Sequence, residues 1–448
     1  MMWFRAILIG FFIFVLIISH AQAAAIRVPE DYPTVLSGID AAVSGDSVLV
    51  GPGTWTDKAT RIISIGGSPG TFTSCGFFKG GVTLIGTNGA NATIIDAEAS
   101  GPGTIITFIF ANQSNDDILI EGVTITGGIN AGLFGVDSGR ITIRSCRIVG
   151  NSSPTAVGGA IRTDECDVTL EDSNISFNAY AEGTGAVSCD QAHLVARGCR
   201  FEGNLSSGAA VVATAFTSGV FDPIIEDCVF IHNRGQFGAA LGLSYQDNVV
   251  VEGNLFLENV ATSGMSASML VNEGHSTVLF NTFVRDSCLG GDGSTCLIAP
   301  FDGEISNNTF YDCFVEDPSF DGYGSAIALY AQNGGSIHLE HNVFAFCDGQ
   351  PAVFLIGGTN EFQFNHSCNV FWENHRGDYG GWIPTIPADI EADPLFCDPE
   401  LLDLTVQEES ACAAGNTPGC AQIGAWPVGC GSIHVDETSW GKIKALYR

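Results

Sequence analysis

One pattern recurs along most of this chain and leaves few folds open. From about Ile118 to Asn374, two alternating apolar residues are followed by a short polar step, a ladder residue, one further residue, Ile or Phe, two residues, and then usually Asn. The stretches ITIRSCRIVGN, VTLEDSNISFN, LVARGCRFEGN, VVVEGNLFLEN and IHLEHNVFAFC all carry it. The ladder position falls on Val123, Cys146, Ser173, Cys199, Cys228, Asn254, Asn281, Asn308, Asn342 and Asn369, at gaps of 23, 27, 26, 29, 26, 27, 27, 34 and 27 residues. Stacked helices would space apolar residues by three and four, whereas a period near 27 with alternation inside each unit predicts a parallel β-solenoid.

The expected fold is therefore all-β, a single-stranded right-handed parallel β-helix. Two longer early coils at SVLVGPGTW and GVTLIGTNGANATIIDA bring the total to about twelve. Two residues after the ladder position stand Ile125, Ile148, Ile175, Phe201, Phe230, Phe256, Phe283, Phe310, Phe344 and Phe371. These should pile up inside the tube at the strand spacing of ~4.8 Å, as core and not as a binding stripe. Five consecutive Asn at the ladder position can pass amide hydrogen bonds from coil to coil, which satisfies polar atoms that a turn would otherwise bury. Asn151, Asn178, Asn204, Asn233, Asn259 and Asn374 mark the next turn, so triplets such as Asn204-Leu205-Ser206 read as by-products of the repeat and not as glycosylation sites. Glu121, Arg144, Glu171, Arg197, Glu226 and Glu252 form an outward column whose opposite charges should pair across strands in a solvated, stabilising stripe.

An open solenoid end exposes apolar side chains and strand edges, so caps are expected. PTVLSGIDAAV has helical spacing between Val35, Ile39 and Val43 and would plug the first coil. After the last coil, Cys397, Cys412, Cys420 and Cys430 lie in a Pro- and Gly-containing segment, and four Cys allow three pairings. Further pairs share a column on adjacent coils, Cys199 with Cys228 and Cys313 with Cys347, as disulfides or as buried core thiols. The chain begins with an apolar run from Ala6 to Ile18 followed by Ala21, Gln22 and Ala23, the pattern of a cleaved signal peptide. The reading divides the chain into a signal peptide (1–23), the β-helix with its N-terminal cap (24–390), a C-terminal cap segment (391–431) and a short tail (432–448). That tail holds Lys442, Lys444 and Arg448, with Trp440, Ile443 and Leu446 at helical spacing. It reads foremost as a frayed terminus.

Charge narrows the partners. Seventeen Lys plus Arg against 49 Asp plus Glu give a net −32, which argues against nucleic acid and anionic membranes. It also weakens the case for an unassisted polyuronate site, because acidic sugars need a cationic groove or bound Ca²⁺. No later segment is apolar and long enough for a transmembrane anchor, and the expectation is a secreted or cell-surface monomer.

Most of the strand that precedes each repeat is inert at its outward position, which reads Arg162, Ser188, Val212, Gly242, Leu270, Ile298, Ala328 and Phe354. Only two rungs carry chemistry: Arg162, Asp164 and Glu165 on one coil, and Asp190, Gln191 and His193 on the next. Asp164 and Asp190 share a register, so their carboxyls should approach within ~5 Å, near the separation a retaining glycosidase uses. Crowding would raise one pKa and set an acid beside a base, and Arg162 would bind a carboxylate or hold the pair. A second reading of the patch is a Ca²⁺ site from Asp164, Glu165, Asp167 and Asp190, and the plainest is a set of exposed turn acids. Tyr245, Gln246, Asp247, Asn272, Glu273, Tyr330 and Gln332 form another polar, aromatic face suited to sugar.

The run IRVPEDYPTVLSGIDAAVSGDSVLVGPGTW resembles the opening of secreted bacterial right-handed β-helix proteins of the pectin-lyase-like superfamily, and the closing ADPLFCD and IGAWPVGC resemble their ends. The resemblance covers about residues 26 to 430. It implies a polysaccharide lyase, a glycoside hydrolase, an esterase, an epimerase or a surface protein without catalysis. The polygalacturonase motifs N-T-D, G-H-G and R-I-K are missing, since His275 lies in Gly274-His275-Ser276 and the nearest match to the last is Gly441-Lys442-Ile443-Lys444. The epimerase D-P-H is missing too. The expectation is an extracellular β-helix that binds or acts on carbohydrate, with a non-catalytic structural or adhesive surface protein as the alternative.

Overall fold

The computed structural model describes residues 23–430, apart from 66–67, 102–103, 112–115, 137–138, 158, 183–184, 215–220, 237, 245–246, 264–265, 273, 291–292, 317–322, 332–334, 358–361 and 382–388. The expected signal peptide, except its last residue, and the basic tail lie outside the described residues. Three parallel sheets run the length of the chain. The first has 13 strands, from Ala25–Val28 to Gln363–Ser367; the second has 13, from Gly53–Trp55 to Ile390–Glu391; the third has 14, from Ala59–Ile65 to Tyr379–Gly381. Every coil contributes one strand to each sheet in turn, so the expected solenoid of about twelve coils is the fold. One irregularity is local: Ala59–Ile65 and Ser68–Ser74 form an antiparallel hairpin at the start of the third sheet.

Between the first and second sheets the chain turns on single residues in the left-handed region, among them Ser145, Asp172, Asp227, Phe280, Asn307 and His341, with φ between 46° and 58°. Gly198 and Gly253 hold the same position in their coils with φ of 61° and 70°. Here the residue type costs little to vary, because short polar side chains tolerate this conformation and the stacked neighbours enforce it on the rest.

The interior follows the columns. Phe201, Phe230, Phe256, Phe283, Phe310, Phe344 and Phe371 stack with ring centroids 4.5–5.0 Å apart and planes within 14°. Isolated rings prefer offset or edge-on contact; here the backbone spacing of the coils imposes the parallel stack. From Asn254 through Asn281, Asn308 and Asn342 to Asn369, each Nδ2 donates to the next Oδ1 at 2.9–3.0 Å and also to a carbonyl of the preceding coil. The Asn at the following turn are a second ladder of the same design, from Asn151 through Asn178, Asn204 and Asn233 to Asn259. On the outside, Arg144 pairs with Glu171 at 2.7 Å and Glu121 at 3.6 Å, and Arg197 pairs with Glu226 at 2.7 Å.

At the N-terminal end the helix Val35–Ala41 begins at Thr34, whose side chain accepts from the Ser37 N–H, and it buries Val35 and Ile39. Val43 does not take part: the helix has ended, and this residue is 54 % exposed. At the other end the residues after the last coil fold back along the outer face of the second sheet. Leu404, Val406, Cys412, Ile423 and Trp426 pack there on Val229, Leu255, Leu257, Val284 and Val343. Trp426 Nε1 donates to Thr282 Oγ1 at 3.1 Å and Ala425 N–H donates to Thr309 Oγ1 at 3.0 Å. Gly424, with φ of 84°, passes so close that a Cβ there would meet Val343 at 2.8 Å.

This strap is tied by Cys368–Cys420 and Cys397–Cys430. The expected four-cysteine set is corrected by one member: Cys412 is a buried thiol, and its place is taken by Cys368 on the last coil, a turn residue that meets the strap. Cys199, Cys228, Cys313 and Cys347 are buried thiols as well, and burial pushes those of Cys228 and Cys313 far above the usual range.

Candidate functional site

The third sheet carries the two rungs singled out in the sequence. Phe134, Arg162, Ser188, Val212, Gly242, Leu270, Leu297, Ala328 and Phe354 lie in one register along it. Leu297 stands where Ile298 was expected, because a bulge in Ser266–Asn272 shifts the pairing by one; Ile298 pairs with Val271 and Leu329 and is core. Arg162 holds its guanidinium over the Phe134 ring of the preceding coil, 5.9 Å from the centroid. Asp164 and Asp190 are register partners on adjacent coils, as the spacing required.

Beside them the chain turns into the first sheet, and most of the polar side chains of that turn hold coils together. Asp167 Oδ1 accepts from the His193 N–H at 2.9 Å, His193 Nδ1 accepts from the Asp222 N–H at 3.3 Å, and Asp222 Oδ1 accepts from Asn248 N–H and Nδ2. Further along, Asp302 Oδ1 accepts from the Ser336 N–H and hydroxyl. This third polar column gives Asp167 and His193 a structural task. Between its members opens a cleft of about 520 Å³ lined by Asp117, Arg140, Glu165, Asp167, Gln191 and Phe221. Among the described residues no group of three or more His, Cys, Asp or Glu is placed to hold a metal ion. Of the other polar face, Tyr245, Gln246, Glu273 and Gln332 lie outside the described residues, while Tyr330 is 49 % exposed at the end of its strand.

A larger groove, about 580 Å³, lies on the opposite edge of the third sheet, at the corner where the second sheet turns into it. Ser152 is the register partner of Ala179, Ala179 of Leu205, Leu205 of Arg234 and Arg234 of Val260, two residues before Thr262. The groove thus crosses five successive coils and runs about 20 Å parallel to the solenoid axis. Ser152, Ser206, Ser207, Gln236, Thr262 and Ser263 line it with Leu205, and Arg234 is the only charged side chain among the described residues that do. Tyr180 forms part of its floor, 2 % exposed, and its hydroxyl has no hydrogen-bond partner among the described residues.

The sequence reading also missed a polar cluster at the C-terminal end of the core. His366 occupies the inward column above Leu339, with Nδ1 2.6 Å from Asp389 Oδ2. The Tyr379 hydroxyl donates to the same Oδ2, and Asp389 Oδ1 accepts from Asn369 Nδ2 at 3.0 Å. Asp389 therefore ends the first Asn ladder, and burial beside that carboxylate raises the Tyr379 pKa. His366 and Asn369 belong to the last repeat, but Tyr379 and Asp389 follow its end, 23 positions on from His366 in the case of Asp389, so spacing could not have joined them.

Residues 107–284 match the family model described as the right handed beta helix region. With three stacked parallel sheets around one core, this makes the fold a right-handed parallel β-helix. No curated protein matches it. Among solved structures it is similar to the A-module of the Azotobacter vinelandii mannuronan C-5 epimerase AlgE4, at 12 % identity over 80 % of this chain and 94 % of that one, with a TM-score of 0.28. It is also similar to a mannuronic acid specific polysaccharide family 6 lyase from human gut microbiota, at 11 % identity over 82 % and 85 %, with a TM-score of 0.30. Likeness of this degree carries no argument about chemistry. Among the described residues no helix is long and apolar enough to cross a membrane.

Proposed function

We propose that this chain is a secreted β-helix that binds carbohydrate along the side of its solenoid, outside the cell or at its surface. The axial groove carries the reading: five coils in register present hydroxyls, an amide and one guanidinium along a trough too long for a compact ligand and suited to a linear one. Two disulfides in the strap accord with an oxidising location. A broad glycan array, together with a panel of lyase and hydrolase substrates, tests it. Binding of at least one glycan is expected, and silence across both would leave the non-catalytic structural or adhesive alternative in its place.

The register pairing of Asp164 with Asp190 favours a second reading, in which the patch with Arg162 cleaves what the protein binds. Here Asp164→Asn and Asp190→Asn would each abolish turnover while leaving the circular dichroism and melting temperature unchanged. Turnover that survives both substitutions removes the pair from consideration.

A further inference from the structure

We infer that the axial groove takes a neutral linear glycan, not an acidic one; this rests on the carbohydrate reading above and adds the class of chain. Proton direction at the groove hydroxyls selects the ligand. A serine or threonine hydroxyl has one proton to give and two lone pairs to accept with. In three of the groove hydroxyls that proton is already committed to the protein. Ser206 Oγ donates to the Gly208 carbonyl at 2.7 Å, Thr262 Oγ1 to the Gly235 carbonyl at 3.1 Å and Ser263 Oγ to the Gln236 carbonyl at 3.4 Å. What these side chains present to an occupant is lone pairs.

A ligand that fits must therefore bring donors. Sugar hydroxyls do so and accept in return, whereas an ionised carboxylate has only lone pairs and would face those of Ser206, Thr262 and Ser263. Charge points the same way. The chain as a whole carries −32, and Arg234 alone offers a positive charge among the described lining residues. A polyuronate with a carboxylate on every unit would meet one guanidinium across five coils. A neutral chain meets no such mismatch, and the exposed side of Leu205 offers apolar surface to the C–H faces of its rings.

Calorimetric titration of the full chain decides this, with neutral oligosaccharides from β-glucan, xylan and mannan set against oligogalacturonate and oligomannuronate, each at low and high salt. Neutral chains are expected to bind with an affinity that salt does not change. The double variant Thr262→Val, Ser263→Ala is expected to weaken that binding about tenfold, the equivalent of one to two hydrogen bonds, with an unaltered circular dichroism spectrum. Binding of the uronates alone overturns the inference and leaves the carbohydrate reading standing. Neutral binding that the double variant does not weaken also overturns it, since the site is then elsewhere. Absence of binding to every glycan sinks both.

Discussion

Asn259 donates its backbone N–H and its side-chain amide to one oxygen of Asp286, at 2.7 and 2.9 Å, so that a carboxyl completes a ladder otherwise built from amides. Each Asn in that ladder uses its NH₂ to donate to a carbonyl of the preceding coil as well, Asn233 to Phe201 and Asn259 to Phe230. Asp286 has no such group unless it is protonated, and its side chain is fully buried. Burial, offset in part by the Ser268 hydroxyl and Asn259, pushes the carboxyl up to about 7.

A pKa raised in the folded state has a defined consequence. Below the unfolded pKa near ~4 both states hold the proton and the carboxyl does not oppose folding; as pH rises towards 7 the unfolded chain ionises first, and stability falls. The loss is complete above the folded pKa and amounts to roughly 4 kcal/mol as an upper figure. Asp286→Asn is expected to stabilise the protein at pH 8 and to flatten the decline between pH 4 and 7. Urea midpoints of the two proteins across that range check it, and parallel pH profiles would count against the protonated ladder.

Asn281 stands in the middle of the other ladder, donating to Asn308 and to the Val251 carbonyl and accepting from Asn254. Asn281→Ala strips hydrogen bonds from buried groups on both neighbouring coils, Asn254 and the Val251 carbonyl on one and Asn308 on the other, and should cost about 3 kcal/mol or more. Asn281→Cys should cost less, because a thiol already serves in this column at Cys228, where it donates to the Ala196 carbonyl. Chemical denaturation of both variants tests the order as well as the size.

Phe256 is fully buried between Phe230 and Phe283, with centroids 4.8 Å to either side. Phe256→Ala opens a cavity that the stacked backbone cannot close, and a loss of about 3–5 kcal/mol is expected. Phe256→Leu should be milder. Equilibrium unfolding measures both.

The cysteines divide cleanly: eleven thiols and two disulfides account for all fifteen. Alkylation in denaturant without reductant should modify eleven and leave Cys368, Cys397, Cys420 and Cys430 untouched, as read by mass spectrometry. Replacing Cys368 and Cys420 together by Ser should lower stability by about 2–4 kcal/mol and open residues 395–430 to protease before the coils.

The solenoid was legible because its columns repeat chemical types: Phe201 to Phe371 and Asn254 to Asn369 are the same residue at nearly the same interval. Where the interval slips, reading by spacing slips with it, as at Leu297, which a bulge moved into the place expected of Ile298. Val43 had the right period for the capping helix, yet the helix stops two residues earlier at Ala41. The register of Asp164 with Asp190 followed from counting. The axial groove did not, since Ser152, Leu205, Arg234 and Thr262 share a position but no chemistry, and only the stacked backbone brings them into one trough. Cys368 was hidden for a related reason: its spacing marks it as a turn residue, and nothing local shows that the strap returns to meet it.

Solenoids are often regarded as extensible, able to gain or lose a turn without harm to the rest. The return of the strap removes that freedom here. Trp426 is fixed to Thr282 and Cys420 to Cys368, so the number of coils between Thr282 and Cys368 must match the span from Cys420 to Trp426. Deleting one coil from that interval would displace the anchors by ~4.8 Å against a chain that cannot follow. In this half of the molecule the strap acts as a ruler, and changes of length are confined to the coils before it.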